Sequence, residues 1–161
     1  MEQQGNMASI SLATWKEFFR NTVSVFDEND STLSVGHDSW TVAQQVAHTA
    51  HTIEWFTDAV FTDKGWDMDF EGQIQRTAVV TSYGEAMQWF DRAMDDAIAK
   101  FGSLSEEQLM ELLPDNPILG PAPKIAVVNG IGDHTAHHRG ALATYARANG
   151  KVPPMPYGGM E

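Results

Sequence analysis

The chain has 161 residues, 42% of them apolar, which suits one domain spanning residues 1–161 with a continuous core and argues against disorder throughout. Its formal net charge of −12 repels phosphate backbones and anionic lipid, so nucleic acid and membrane surfaces are excluded as partners in favour of small molecules or a second copy of the chain. It holds no cysteine, so it has neither a disulfide nor a protein thiol to act as nucleophile or ligand.

The start, Met1 to Ser11, is polar and lacks a basic segment followed by an apolar one. The longest aliphatic run is Ile125 to Val128. A soluble, cytoplasmic protein is the expectation.

The first predicted helix runs from about Ser11 to Asp27. Leu12, Trp15, Phe19, Thr22, Val23 and Phe26 recur there at steps of three and four, and Asn29-Asp30-Ser31 breaks the pattern. Thr41 is placed to cap a second helix, with Gln44 three residues on, and that helix runs to about Thr62. Gly65, Asp67 and Asp69 mark a loop. Residues 73–81 are rich in β-branched side chains and are read as a connection rather than a sheet.

A third long helix is expected from Tyr83 to Phe101, with Ala86, Trp89, Phe90, Ala93, Met94, Ala97 and Ile98 facing inward. Ser105-Glu106-Glu107 opens a short helix ending near Leu113. Pro114, Pro117, Pro121 and Pro123 punctuate the next stretch. The fourth long helix runs from about Ala122 to Ala148, and Asn149-Gly150 stops it. Four long helices without a confident sheet predict an all-α fold, a four-helix bundle with long connections.

The chemistry concentrates in the histidines. Five of the six fall in two clusters, His48 and His51 on helix two, and His134, His137 and His138 on helix four; His37 stands apart in a loop. His134 and His138 are four residues apart, about 40° of rotation and one turn of rise, so both rings point the same way. Their stripe contains Val127, Ile131, Leu142 and Tyr145, which places the rings toward the interior. Two buried imidazoles without partners cost desolvation, and a metal bound to neutral imidazole relieves it.

A third ligand must come from helix two, and spacing alone leaves His48 and His51 both open. His48 lies about half a turn off the Val42, Val46, Ile53, Val60 stripe, which suggests a site at the edge of the core or the mouth of the bundle. Three histidines without cysteine favour one divalent nickel, zinc or iron ion over magnesium or calcium.

The plainer reading is that histidine pairs also occur on solvated helix faces. His137 lies with Gly130, Ala141 and Thr144 on a stripe suited to helix packing, and His51 is read as supporting a ligand or lying at the surface. The five tryptophans are core or pocket wall, and the eight methionines are packing. Threonine follows His134, so the zinc-protease glutamate is absent. No glutamate precedes a histidine by three, so the di-iron bundle signature is absent too.

The segments Val46-Ala-His48-Thr-Ala-His51-Thr-Ile-Glu-Trp55-Phe and Gly132-Asp-His134-Thr-Ala-His137-His138-Arg139-Gly140-Ala-Leu142 resemble the DinB-like (DNA-damage-inducible) superfamily. The ending Gly150-Lys-Val-Pro153-Pro154-Met-Pro156-Tyr-Gly158-Gly159-Met is similar to the tails of many members. The resemblance implies an up-down-down-up four-helix bundle, often a homodimer, with nickel, zinc or iron on three histidines. By position it implies His48 rather than His51, beside His134 and His138. Members of known activity include transferases and isomerases that use bacillithiol, mycothiol or glutathione. The sequence departs from many members at Ala141, where they carry glutamine, and at Thr52 and Ile53. The superfamily's name does not imply DNA binding.

Three functions follow as expectations. The first is a metal-dependent transferase or hydrolase acting on a small molecule, with a low-molecular-weight thiol as cosubstrate. Tyr145 and His137 are its candidate catalytic groups, and His51 and Glu54 could aid proton transfer. The second is a stress-associated metal-binding protein without turnover. The third is a structural module in which the histidines pack.

Overall fold

The computed structural model describes residues 6–36 and 38–158. The expectations for His37 and for the ends, 1–5 and 159–161, fall outside the described residues. Those described form six helices, one short 3-10 turn and no strand.

Helix α1 is Met7–Val23, beginning four residues before the expected start and ending earlier too. Asn6 explains the start. Its side-chain oxygen accepts the Ser9 N–H at 2.9 Å, and its amide donates to the Phe101 and Leu104 carbonyls at 2.8 Å each. The first turn therefore rests on a cap and a tertiary tie rather than on an apolar stripe. The helix stops because Asp27 caps the 3-10 turn Glu28–Asp30, whose Asp30 reaches back to the Asp27 N–H. Asp30 is buried and paired with Lys151 at 2.6 Å, which holds this corner to the chain leaving the last helix.

Helix α2, Val42–Phe61, opens as expected. Gln44 donates its N–H to Thr41 Oγ1 at 3.2 Å, and Thr41 donates to Gln44 Oε1 at 3.0 Å. Helix α3, Phe70–Ala78, replaces the connection expected over 73–81. Asp69 caps it, and Phe70 and Ile74 share one face at a four-residue step; a window starting at Gln73 cuts off both signals. Gln44 Nε2 closes its far end on the Ala78 carbonyl at 2.7 Å.

Helix α4, Tyr83–Gly102, matches the expected span and is capped by Ser82. Helix α5 is only Glu106–Leu109. The chain then straightens, because Leu113 N–H bonds the Ala122 carbonyl and Lys124 N–H the Glu111 carbonyl. The same bonds commit Ala122 to the loop, so α6 is Lys124–Ala148. Gly150, at φ +74°, takes the left-handed position that stops it.

Helix α1 packs on α4 and α6, and so does α2. Between them Phe19 stacks on Phe90 with centroids 4.2 Å apart, among Leu12, Ile53, Met94 and Ile131. Two glycines set how closely α6 is approached. A Cβ on Gly130 would lie 3.1 Å from the Phe56 ring of α2, and one on Gly132 2.6 Å from the Trp15 ring of α1. No helix of the described residues is long and apolar enough to cross a membrane.

Alanine at Gly132 forces a rigid indole to move, whereas a Cβ on Gly140 of the same helix meets nothing within 4 Å. Gly→Ala in a helix gains about 0.8–1.0 kcal/mol, and overpacking costs about 1–3 kcal/mol. Denaturant unfolding of the two variants should therefore give opposite signs, Gly140→Ala more stable than wild type and Gly132→Ala less.

Candidate metal centre

Three imidazoles meet where α2 faces α6. His134 Nε2 lies 3.2 Å from His48 Nε2 and 3.1 Å from His138 Nε2, and the three ligand atoms all lie within 4.8 Å of one another. The i,i+4 step on α6 supplies the pair and α2 supplies the partner, so His48, His134 and His138 come together as anticipated. His51 does not join them. It is buried one turn further along α2 with its ring edge-on to Trp89 of α4, centroids 6.0 Å apart.

The neutral protein cannot satisfy this convergence well. His138 Nδ1 donates to Gln45 Oε1 at 2.6 Å, which leaves its Nε2 as a bare lone pair. His134 then faces two imidazole nitrogens with, at most, one N–H on that side. Its own Nδ1 is buried without a partner, so no protein group fixes its tautomer. A cation at the three nitrogens removes the lone-pair conflict. With metal–nitrogen bonds of about 2.0–2.1 Å, tetrahedral ligand nitrogens sit roughly 3.3 Å apart, close to two of the separations here. The three histidines can therefore hold a divalent metal ion. Among the described residues no fourth histidine, aspartate or glutamate joins the group.

Electrostatics favours the ligating form. Burial, then the fields of neighbouring histidines, pushes His48 and His134 down to about 4 and His138 down to about 3. All three are neutral at pH 7, with lone pairs free. Without metal, the unfolded chain takes up these protons near pH 6.5 and the folded chain resists until far lower. Stability present above pH 6.5 is thus lost as pH falls toward 4. Thermal melts in chelator should show a falling Tm between pH 7 and 5, above the range of ordinary carboxylates. A flat Tm there would contradict this environment.

Gln45 is the residue beside the histidines that the sequence reading missed. It is buried on α2, takes the His138 N–H, and donates its own amide N–H to the Tyr145 hydroxyl at 3.2 Å. Tyr145 is only 5% exposed, and its hydroxyl is engaged by Gln45 rather than by the cluster. His137 is exposed on α6, its ring edge-on to His138 at 4.9 Å. Glu54 is half-buried, and burial raises its pKa despite a bond to Trp89. It lines a polar cleft with His51, Asp58 and Arg76.

Trp40, just before the α2 cap, lies over His48 with centroids 4.4 Å apart. From there a cavity of about 310 Å³ extends beneath α3, with His48 and His134 on its wall and Trp55, Phe56 and Phe70 among its lining.

Compared with known proteins, the chain matches the sequence model described as the DinB family over residues 6–161. No curated protein matches it.

Proposed function

The chain belongs to the DinB family, and we propose that it is a metal-dependent transferase or hydrolase of a small molecule, its ion carried by His48, His134 and His138. The observation that carries this reading is the opening of the three-nitrogen cluster onto a cavity, with three protein ligands rather than four. Three-ligand sites leave a position for water or substrate, which is the pattern of reactive centres.

The architecture we assign is a four-helix bundle of α1, α2, α4 and α6, with up-down-down-up order. Contacts between helices support it. Asn6 meets the end of α4 while the Tyr83 hydroxyl at its start donates to the Val23 carbonyl, so α1 and α4 oppose. Gln45 meets Tyr145 and Phe56 meets Gly130, so α2 and α6 oppose. His51 meets Trp89 and Phe61 meets Phe101, so α2 and α4 run together.

When bound, the ion lowers the pKa of a coordinated water or thiol and supplies a nucleophile near neutral pH. The chain contains no cysteine, so a thiol must arrive with a small molecule. Gln45 orients His138, with Tyr145 acting through it. Trp40 and the aromatic walls exclude water. His137 is exposed on α6 with its ring edge-on to His138, and it is the candidate group for proton transfer.

The test is conjugation of an electrophile with glutathione, bacillithiol or mycothiol, comparing metal-loaded protein, metal-free protein and buffer. Acceleration by the loaded protein alone is expected. Equal rates in all three samples with every thiol would overturn the transferase reading.

A further inference from the structure

The cavity beside the histidines carries information about what it accepts. Its walls come from three places: Trp40 before α2, Trp55 and Phe56 on α2, and Phe70 and Ile74 on α3. The polar residues among its lining are neutral ones, Thr52, Gln73 and histidines whose pKa values are depressed. Among the described residues no aspartate, glutamate, lysine or arginine lines it. Several donors around the walls are already committed, Gln73 Nε2–H to the Asp67 carbonyl at 2.8 Å and Thr52 Oγ1–H to the His48 carbonyl at 3.0 Å. The N-terminus of α3 is already capped by Asp69, whose carboxylate accepts the Gly72 N–H at 3.0 Å. Trp55 Nε1–H is committed to the Asp67 carbonyl at 2.9 Å.

A carboxylate or phosphate lying among these walls would lose its hydration and meet no cationic side chain, only the N–H groups of neutral imidazoles. An uncharged aromatic body would instead meet ring faces and edges on several sides. Phe70 and Ile74 remain 48% and 52% exposed, so α3 offers apolar surface still to be covered. At about 310 Å³ the cavity is at the small end of ligand pockets, which limits the body to one or two rings.

We infer that the cavity between Trp40, Trp55 and α3 binds an uncharged aromatic or similarly flat apolar body of one or two rings, as the part of the substrate that lies away from the histidines. The inference rests on the proposed metal site only for the role of the cavity, not for its ligand class. The other face of α6 is chemically opposite. There Arg139 lies over Phe18 and Tyr157 beside a separate cavity, so an anionic aromatic would be drawn to that side.

The experiment is calorimetric titration with a matched pair, 2-naphthamide and 2-naphthoate, on metal-free and metal-loaded protein, with metal content measured on the same samples. In the metal-free protein the amide should bind at least about tenfold more tightly than the carboxylate. The Ile74→Asp variant changes a half-exposed residue and should weaken amide binding about tenfold or more. Equal affinities or a preference for naphthoate in the binding component that Ile74→Asp weakens, or amide binding untouched by Ile74→Asp, would each overturn the inference. Amide binding that survives in a protein found to take up no metal would overturn the metal reading and leave this one standing.

Discussion

His48→Ala and His138→Ala lose the metal, while His51→Ala keeps about one equivalent per chain. The measurement is elemental analysis of protein purified without an affinity tag. The expectation follows from where each ring sits. His134 Nε2 contacts His48 and His138 alike, and removing either leaves two nitrogens from adjacent turns or opposing helices. His51 stands one turn along α2 with its ring edge-on to Trp89 and is not one of the three converging histidines, so its loss removes no ligand nitrogen. The two ligands also belong to different helices. With metal present, His48→Ala and His138→Ala should be strongly coupled in a double-mutant cycle, because the first change already forfeits the tether between α2 and α6. Independent, modest effects would instead describe histidines that merely pack. Retention of a full equivalent in His48→Ala, or its loss in His51→Ala, would sink the assignment of ligands.

The pair on α6 was legible because one helix makes both rings share a face, and a four-residue step needs no knowledge of other elements. His48 was not legible in the same way. Its position off the Val42, Val46, Ile53, Val60 stripe suggests a site at the edge of the core, and α2 packs on α4 and α6 at once. The stripe follows the deepest burial, while His48 lies at the seam with α6, half-buried beneath Trp40. Periodicity reports how much of a helix is covered and is silent about which neighbour covers it. Resemblance chose between His48 and His51 where geometry in one dimension could not. The long helices were legible from their apolar repeats and caps. The shorter pieces depended on tertiary ties: Asn6 reaching the end of α4, and Gln44 reaching the end of α3. Helix α3 matters most among these, because it roofs the cavity that a mere connection would leave open. Gln45 left no local trace at all. It reads as one more polar residue on a helix until α6 brings His138, 93 positions away, within 2.6 Å of its carbonyl.

Gln45 therefore carries the second large expected effect. Its Oε1 holds the proton of His138 on Nδ1, so Nε2 is presented as a lone pair toward the other two histidines. Its Nε2 donates to the Tyr145 hydroxyl, which leaves Oε1 facing the His138 ring. Gln45→Leu removes the acceptor and should lower metal affinity about 10–100-fold, as loss of such supporting partners does. Gln45→Glu keeps an acceptor for the His138 N–H and adds charge, so affinity should be retained or raised. Tyr145→Phe leaves the acceptor in place and should cost far less than Gln45→Leu. A competition titration against a chromophoric chelator measures all three, and the visible spectrum of the cobalt-loaded protein reports whether ligand geometry changes. Simple loss of packing would act differently: it would lower the melting point of the metal-free variants and leave the affinity order of Leu, Glu and Gln at this position unrelated to hydrogen-bond acceptance. If Gln45→Leu binds metal as tightly as wild type, His138 finds its tautomer without help, and Tyr145 has no route to the centre through this side chain.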